Sequence, residues 1–291
     1  VILLTESAPE LAVQVGFFTQ VLGVSAKLPT VKSVTAPSNH VGGSTHTFMR
    51  AAERLHVTES SIWSTSQGCS LRSSVFDNDL TLSASGQDWG SGGFISDVEV
   101  KGTLNTGIQQ QHLVKASTVG SMSSQPSSWN LLFVGTKGVP SPPPQSEEAR
   151  YIQVVPFKAE TMIRHKPYIE TDGHGKWTVK VPHAERAISG YNPPTAMDTI
   201  PIEECEIWSM SPSGGDLGDV AEWELEHVAP HSNSLPCVII SPGVYHITKP
   251  IVFSKANAVV IALGFATFAC ATTEACVTIA ADAVSFAGLI L

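Results

Sequence analysis

The chain has 291 residues, a formal net charge of −9 and only 15% charged side chains. An acidic surface so dilute in charge repels nucleic acid and anionic membrane, and no basic stripe reverses this. Apolar residues at 42% exclude global disorder, and the apolar run Ala258–Cys270 is too short to span a bilayer.

Along the chain, long amphipathic helical patterns are nearly absent. Short apolar runs alternate with clusters of Gly, Ser, Asn and Asp, the signature of strands and turns. Met49-Arg50 and Leu71-Arg72 repeat at a spacing of 22 residues. Gly102, Gly120 and Gly138 then repeat at 18, as do Ile95, Leu113 and Leu131, and Val98, Ala116 and Val134. A period near 20 with glycine corners indicates a solenoid. The leucine and asparagine signature of leucine-rich repeats is missing, so the spacing predicts a parallel β-helix from about Thr45 to Pro140. Coils of such a helix stack about 4.8 Å apart. Stacking by 18 would set Asp97 beside Lys115, Gln111 between Gly93 and Trp129, and Gln109 between Ser91 and Ser127.

The proline-rich stretch 141–148 reads as an extended connector. Strand-like runs follow at Tyr151–Phe157, Thr161–Ile163 and Trp177–Val181, the last after a hairpin turn at Asp172-Gly173-His174-Gly175. Pro182–Pro236 reads as irregular, with one short helix at Asp219–His227 capped by Asp216 or Asp219. Strand character returns at Cys237–Ser241, Tyr245–Thr248, Ile251–Ser254, Ala258–Leu263, Val277–Ala280 and Val284–Leu291. The expected organisation is therefore three parts. Residues 1–181 form the later part of a first β-helix with a trailing hairpin, 182–236 an irregular linker, and 237–291 the first coils of a second β-helix. Both abrupt apolar ends read as cuts in a longer protein, because solenoids cap their ends with polar structure.

The five cysteines lack zinc-site spacing. Cys270 and Cys276 flank a short polar loop; a disulfide between them and two small buried thiols on neighbouring strands both fit. The ten histidines form no metal-spaced pair, so neither a metal nor another cofactor is expected.

The segment Ser241-Pro242-Gly243-Val244-Tyr245-His246-Ile247 with Pro250-Ile251 resembles the opening coil of pectate-lyase-superfamily right-handed β-helices. Ile62-Trp63-Ser64-Thr65-Ser66-Gln67, Trp89-Gly90-Ser91-Gly92-Gly93-Phe94, Gln109-Gln110-Gln111 and Trp129-Asn130 with Phe133-Val134-Gly135 resemble a secreted group within that superfamily. Its members are often labelled adenylyl cyclase, although nothing in this chain looks like a nucleotide cyclase. The group is similar, more distantly, to glycoside hydrolase family 55, the exo-β-1,3-glucanases. The resemblance implies tandem β-helices, a secreted or cell-surface location and a polysaccharide or oligosaccharide ligand. It also implies a general-acid Glu in the second helix, outside these residues, so the catalytic residues are unassigned. From the first helix, it offers only a Gln of the 109–111 run.

Inverting glycosidases need two carboxyl groups roughly 6.5–9.5 Å apart. Asp97 and Glu99, at i and i+2 on one strand, would lie about 7 Å apart, but a Lys115 neighbour favours a structural ion pair for Asp97. A notch formed by Gly93, Gln111 and Trp129 would offer an amide wall and an aromatic floor, which suit the hydroxyl edges and C–H faces of sugars. Gln109, Gln111, Trp129 and Asn130 are therefore the main ligand candidates, with Trp63, Gln67, Gln87, Asp88 and Trp89 secondary. The bland alternatives are an internal glutamine ladder and buried structural tryptophans. Two functions stay open: hydrolysis of a β-1,3-glucan-like polysaccharide, or a non-enzymatic glycan-binding or structural role in wall, matrix or surface filament. In the second case, other copies of the chain or matrix proteins become the partners.

Overall fold

A computed structural model describes residues 1–36, 44–83, 89–124, 128–140, 151–209, 237–247 and 250–290. The connector at 141–148, the helix expected at 219–227, and the candidates Gln87 and Asp88 lie outside the described residues. The described chain is almost wholly β and forms a parallel solenoid, apart from three antiparallel pairings in two small sheets. It divides into two compact units, Ile2–Arg164 with Ala184–Thr195, and His165–His183 with Ala196–Leu291.

In the first unit, eight strands stack in parallel: Ile2–Leu4, Thr19–Gly23, Arg50–Glu53, Cys69–Arg72, Phe94–Ser96, His112–Lys115, Leu131–Val134 and Ile152–Val155. A second sheet takes the next strand of successive coils, including Ala8–Gln14, Thr30–Thr35, His56–Val57, Val75–Phe76, Glu99–Asn105 and Thr118–Ser123. The coils thus begin near Ile2, well before Thr45. The early coils were hidden because their lengths vary: Val21 pairs with Ala52, 31 residues on, while Ala52 pairs with Leu71, 19 on.

The ladders run one residue off the expected stacking. Ile95 pairs with Val114, and Val114 with Phe133, a spacing of 19. Because side chains alternate with period 2, a slip of one moves every side chain to the other face. The true inward ladder is Val21, Ala52, Leu71, Ile95, Val114 and Phe133, each at most 2% exposed. Leu113 and Leu132 therefore face outward. The 18-residue glycine repeat has a local origin. Val100 pairs with Val119, but Thr103 pairs with Ser121, so a bulge in Glu99–Asn105 absorbs one residue and brings Gly102 opposite Gly120.

The corner leaving the first sheet is built from left-handed residues. Arg54, Ser73, Asp97, Ala116 and Gly135 have φ between +49° and +60° and occupy successive coils. Each donates its backbone N–H to the coil above, for instance Asp97 to the Lys115 carbonyl at 3.1 Å and Ala116 to the Val134 carbonyl at 2.9 Å. Asp97 thus stacks on Ala116, and the expected Asp97–Lys115 neighbour relation is replaced by Ser96 opposite Lys115. Just after this corner, Ser74 and Ser117 are buried and their hydroxyls accept the N–H of Leu55 and Val98, both at 3.1 Å. Four non-glycine residues in this conformation cost about 1–2 kcal/mol each. Ala116→Gly should therefore stabilise the fold by about 0.5–1 kcal/mol, after the larger unfolded-state entropy of glycine is offset. A denaturant midpoint that falls in the variant would contradict this account of the corner.

The second unit opens with an antiparallel sheet of Tyr168–Thr171, Trp177–Pro182 and Met197–Pro201. The hairpin turn is held by Asp172, whose carboxylate accepts the N–H of His174 at 2.7 Å and of Lys176 at 3.2 Å. A parallel sheet follows, made of Glu206–Trp208, Cys237–Ile240, Val259–Ala262 and Ser285–Ala287. Met197–Pro201 and Glu206–Trp208 fall in a stretch expected to be irregular. They are short, and their pairing partners are distant in sequence, so no local period announces them. Trp208 explains the second: it is 2% exposed and stacks on Phe253 and Phe268. Disulfides join Cys205 to Cys237 and Cys270 to Cys276, leaving Cys69 as a buried free thiol.

Candidate functional site

On the outer face of the first sheet of the first unit lies a groove of about 330 Å³. Its geometry follows from the 19-residue register. Gly92, Gln111 and Asn130 stack in one column, and Leu113, Leu132 and Gln153 in the outward column two residues on. The backbone of Gly93, His112 and Leu131 runs between them. The first column starts on a residue with no side chain, which leaves depth beside two exposed amides. The second column supplies an aliphatic wall closed by a third amide. An apolar surface rimmed by carboxamides can meet the C–H face and the hydroxyl edge of a sugar at once.

Trp129 precedes Asn130, is 53% exposed, and meets the half-buried Trp89 edge-on at 5.5 Å between ring centroids. The expected stack of Gly93, Gln111 and Trp129 is corrected by the register. Gln111 lies between Gly92 and Asn130, while Trp129 follows Gln110 in its own column. Gln111, Asn130, Trp129 and Trp89 still cluster on one corner of successive coils. Gln67 joins them two coils earlier, exposed, with its amide donating to the Ser91 hydroxyl at 2.7 Å.

Two candidates are taken out by burial. Gln109 is fully buried inside the coil, where its amide donates to the carbonyls of Thr106 at 2.8 Å and Leu82 at 3.2 Å. A side chain on Gly90 would run into that amide, at 2.5 Å from its oxygen. Trp63 is 1% exposed and belongs to the core. Neither can meet a sugar. Leu113, Leu132 and Gln153 were missed because the two leucines align as an outward column only in the 19-residue register, and Gln153 follows Leu132 at a different spacing, 21.

His112 was passed over as one scattered histidine. It is 5% exposed and its ring sits under Gly93, where an added Cβ would stand 2.8 Å from Nε2. Burial lowers its pKa to about 4, opposed only by a hydrogen bond with the Leu113 backbone, so the imidazole is neutral across the physiological range.

Three acids of the first unit, Asp77, Asp79 and Asp97, are engaged elsewhere. Asp77 binds His56 at 2.8 Å and Lys101 at 2.7 Å, and the Lys101 ammonium leads in holding its carboxyl below the usual range. Asp79 accepts the Thr103 N–H at 2.7 Å, and Asp97 the Ser96 hydroxyl at 2.7 Å. Asp97 and Glu99 do not share a strand face, because Asp97 is the left-handed corner residue and Glu99 opens the next sheet. Among the described residues that line the groove there is no carboxylate.

No family model matches the chain. Over 264 residues, 87% of its length, it is 26% identical to the exo-beta-1,3-glucanase of Streptomyces sp. (strain SirexAA-E / ActE), of which it spans 40%. Its structure is similar to that of sacteLam55A from Streptomyces sp. SirexAA-E, with a TM-score of 0.74 and 24% identity over 96% of this chain and 50% of the other. A variant of sacteLam55A in complex with glucose superposes with a TM-score of 0.73 and 25% identity, over 95% of this chain and 49% of that one. The chain thus spans half or less of the relatives it matches. The all-β solenoid and the resemblance to exo-β-1,3-glucanases hold on these matches.

Proposed function

We propose that this chain is the glycan-binding part of a carbohydrate-active β-helix protein that acts on β-1,3-glucan. The observation that carries the reading is the groove at Gln111, Asn130 and Gln153, with its aliphatic wall of Leu113 and Leu132. The similarity to an exo-beta-1,3-glucanase over 87% of the chain supports β-1,3-glucan as the ligand. Such chemistry needs an acid to protonate the departing sugar. In this reading the described lining residues bind and orient the sugar, and the acid is supplied elsewhere in the protein. The second reading, a glycan-binding protein without catalysis, is favoured by described outward side chains that are amides and leucines. The two separate by assay of the full-length protein on β-1,3-glucan: binding with release of glucose supports the first, binding without release the second.

The binding itself is tested by calorimetric titration with β-1,3-gluco-oligosaccharides. Gln111→Ala and Asn130→Ala should each weaken binding by about 0.5–1.5 kcal/mol through the lost hydrogen bond. Trp129→Ala should cost about 1 kcal/mol of ring contact. Gln109→Ala should leave affinity unchanged and lower the melting temperature instead. Unchanged affinity in all three groove and rim variants would remove the reading.

We further propose that the protein is secreted or displayed at the cell surface, in keeping with its two disulfides, which persist in oxidising compartments. Alkylation of unfolded, unreduced protein from its native source should label Cys69 alone of the five cysteines. Labelling of Cys205 or Cys270 as well would place the protein in a reducing compartment.

A further inference from the structure

Among the described residues, the exposed Phe and Trp side chains are Phe17, Phe18 and Trp129, at 56%, 50% and 53%. All three lie on the same corner of the solenoid. Phe17 and Phe18 immediately precede Thr19, and Trp129 and Asn130 immediately precede Leu131. Thr19 pairs with Arg50, Arg50 with Cys69, and His112 with Leu131, and the same register carries Cys69 through Gly93 to His112. Five coil steps therefore separate the two aromatic positions, about 24 Å along the axis.

The Phe pair sits on the turn into Thr19, and its rings meet edge-on at 4.7 Å. Phe18 has φ of +51°, and Met49, Gly68 and Gly92 repeat that left-handed conformation at the same corner of later coils, so the backbone there belongs to the fold. The exposed rings do not: Phe17 and Phe18 are outside the buried core cluster. Between the two aromatic positions, the corner presents exposed Gln67 and Gln111 on either side of the buried, side-chain-free Gly92. The guanidinium of Arg50, one residue further on, is turned back to donate to the Val15 carbonyl.

We propose that this corner is a lengthwise track for one neutral polysaccharide chain. A few sugars occupy the groove at Gln111 and Asn130, and more distant sugars of the same chain stack on Phe17 and Phe18. The proposal rests on the glycan reading of the groove and extends it to the ligand's length: the protein should prefer long chains to short ones.

The test is titration of the full chain with a β-1,3-linked trisaccharide and with a soluble β-1,3-glucan of twenty or more sugars. Counted per trisaccharide-length register of the polymer, binding should be about tenfold or more tighter than for the free trisaccharide, from two added ring contacts. In the double variant Phe17→Ala/Phe18→Gly, that gain should vanish while trisaccharide affinity is kept. Glycine at position 18 suits the left-handed turn, so folding should survive, and a thermal melt checks it. A polymer that binds no tighter than the trisaccharide overturns the track and leaves the groove standing. So does a gain that survives in the double variant. If neither sugar binds, the groove reading fails and the track with it.

Discussion

Replacing Cys205 and Cys237 together by alanine should lower the unfolding free energy by about 4 kcal/mol, about 1.5 kcal/mol more than the loss expected for Cys270 and Cys276. The reason lies in the unfolded chain. The first bridge closes a sequence separation of 32 residues, the second one of only 6, and the entropy removed from the unfolded ensemble grows with the logarithm of loop length. The first bridge also ties the strand Glu206–Trp208 to its parallel neighbour Cys237–Ile240. Its loss would release Trp208, the central ring of that core, from a strand that is only three residues long. Denaturant unfolding of the two double variants, side by side, measures both losses. Equal losses, or a larger one for Cys270 and Cys276, would show that the long bridge does not act through loop closure.

How much of this was legible in the sequence depends on where the signal sits. Corner glycines and short apolar runs were enough for a parallel solenoid, because that fold repeats its demands every coil. The register was not. Gly102 and Gly120 really are neighbours, but only because a bulge removes one residue from a 19-residue coil. Reading their spacing outward shifted every ladder by one, and so placed Trp129 on Gln111 and Asp97 on Lys115. The groove's amides at Gln111 and Asn130 were visible as residue types that suit sugars. Its aliphatic wall was not, because a spacing of 18 sets Leu113 on Leu131, whereas in the structure Leu113 stacks on Leu132. Trp63 and Gln109 show the converse. Residue type alone cannot tell an inward amide or indole from an outward one; the alternation can, once the phase is known.

The phase also fixes the behaviour of His112 in acid. Between pH 7 and pH 5 the wild-type protein should lose about 2 kcal/mol of stability through this residue alone. Burial is the main cause, and it depresses the folded pKa to about 4, whereas an unfolded histidine titrates near 6.5. The unfolded state therefore binds a proton in this window that the folded state refuses, and stability falls as pH falls. The stabilising contribution is complete above about pH 7, declines through the unfolded pKa, and stops declining below about pH 4, where both states carry the proton. Carboxylates contribute little above pH 5, since their unfolded pKa values lie near 4. His112→Leu matches the next residue in the ladder, Leu131, and removes the titrating group. Its stability should change by about 2 kcal/mol less than wild type over the same interval. The ring of His112 lies under Gly93, so Gly93→Ala should press on it and destabilise the fold at neutral pH as well. Parallel pH dependence in wild type and His112→Leu would mean that the imidazole escapes its burial when charged, and that the corner beneath the groove is looser than its packing implies.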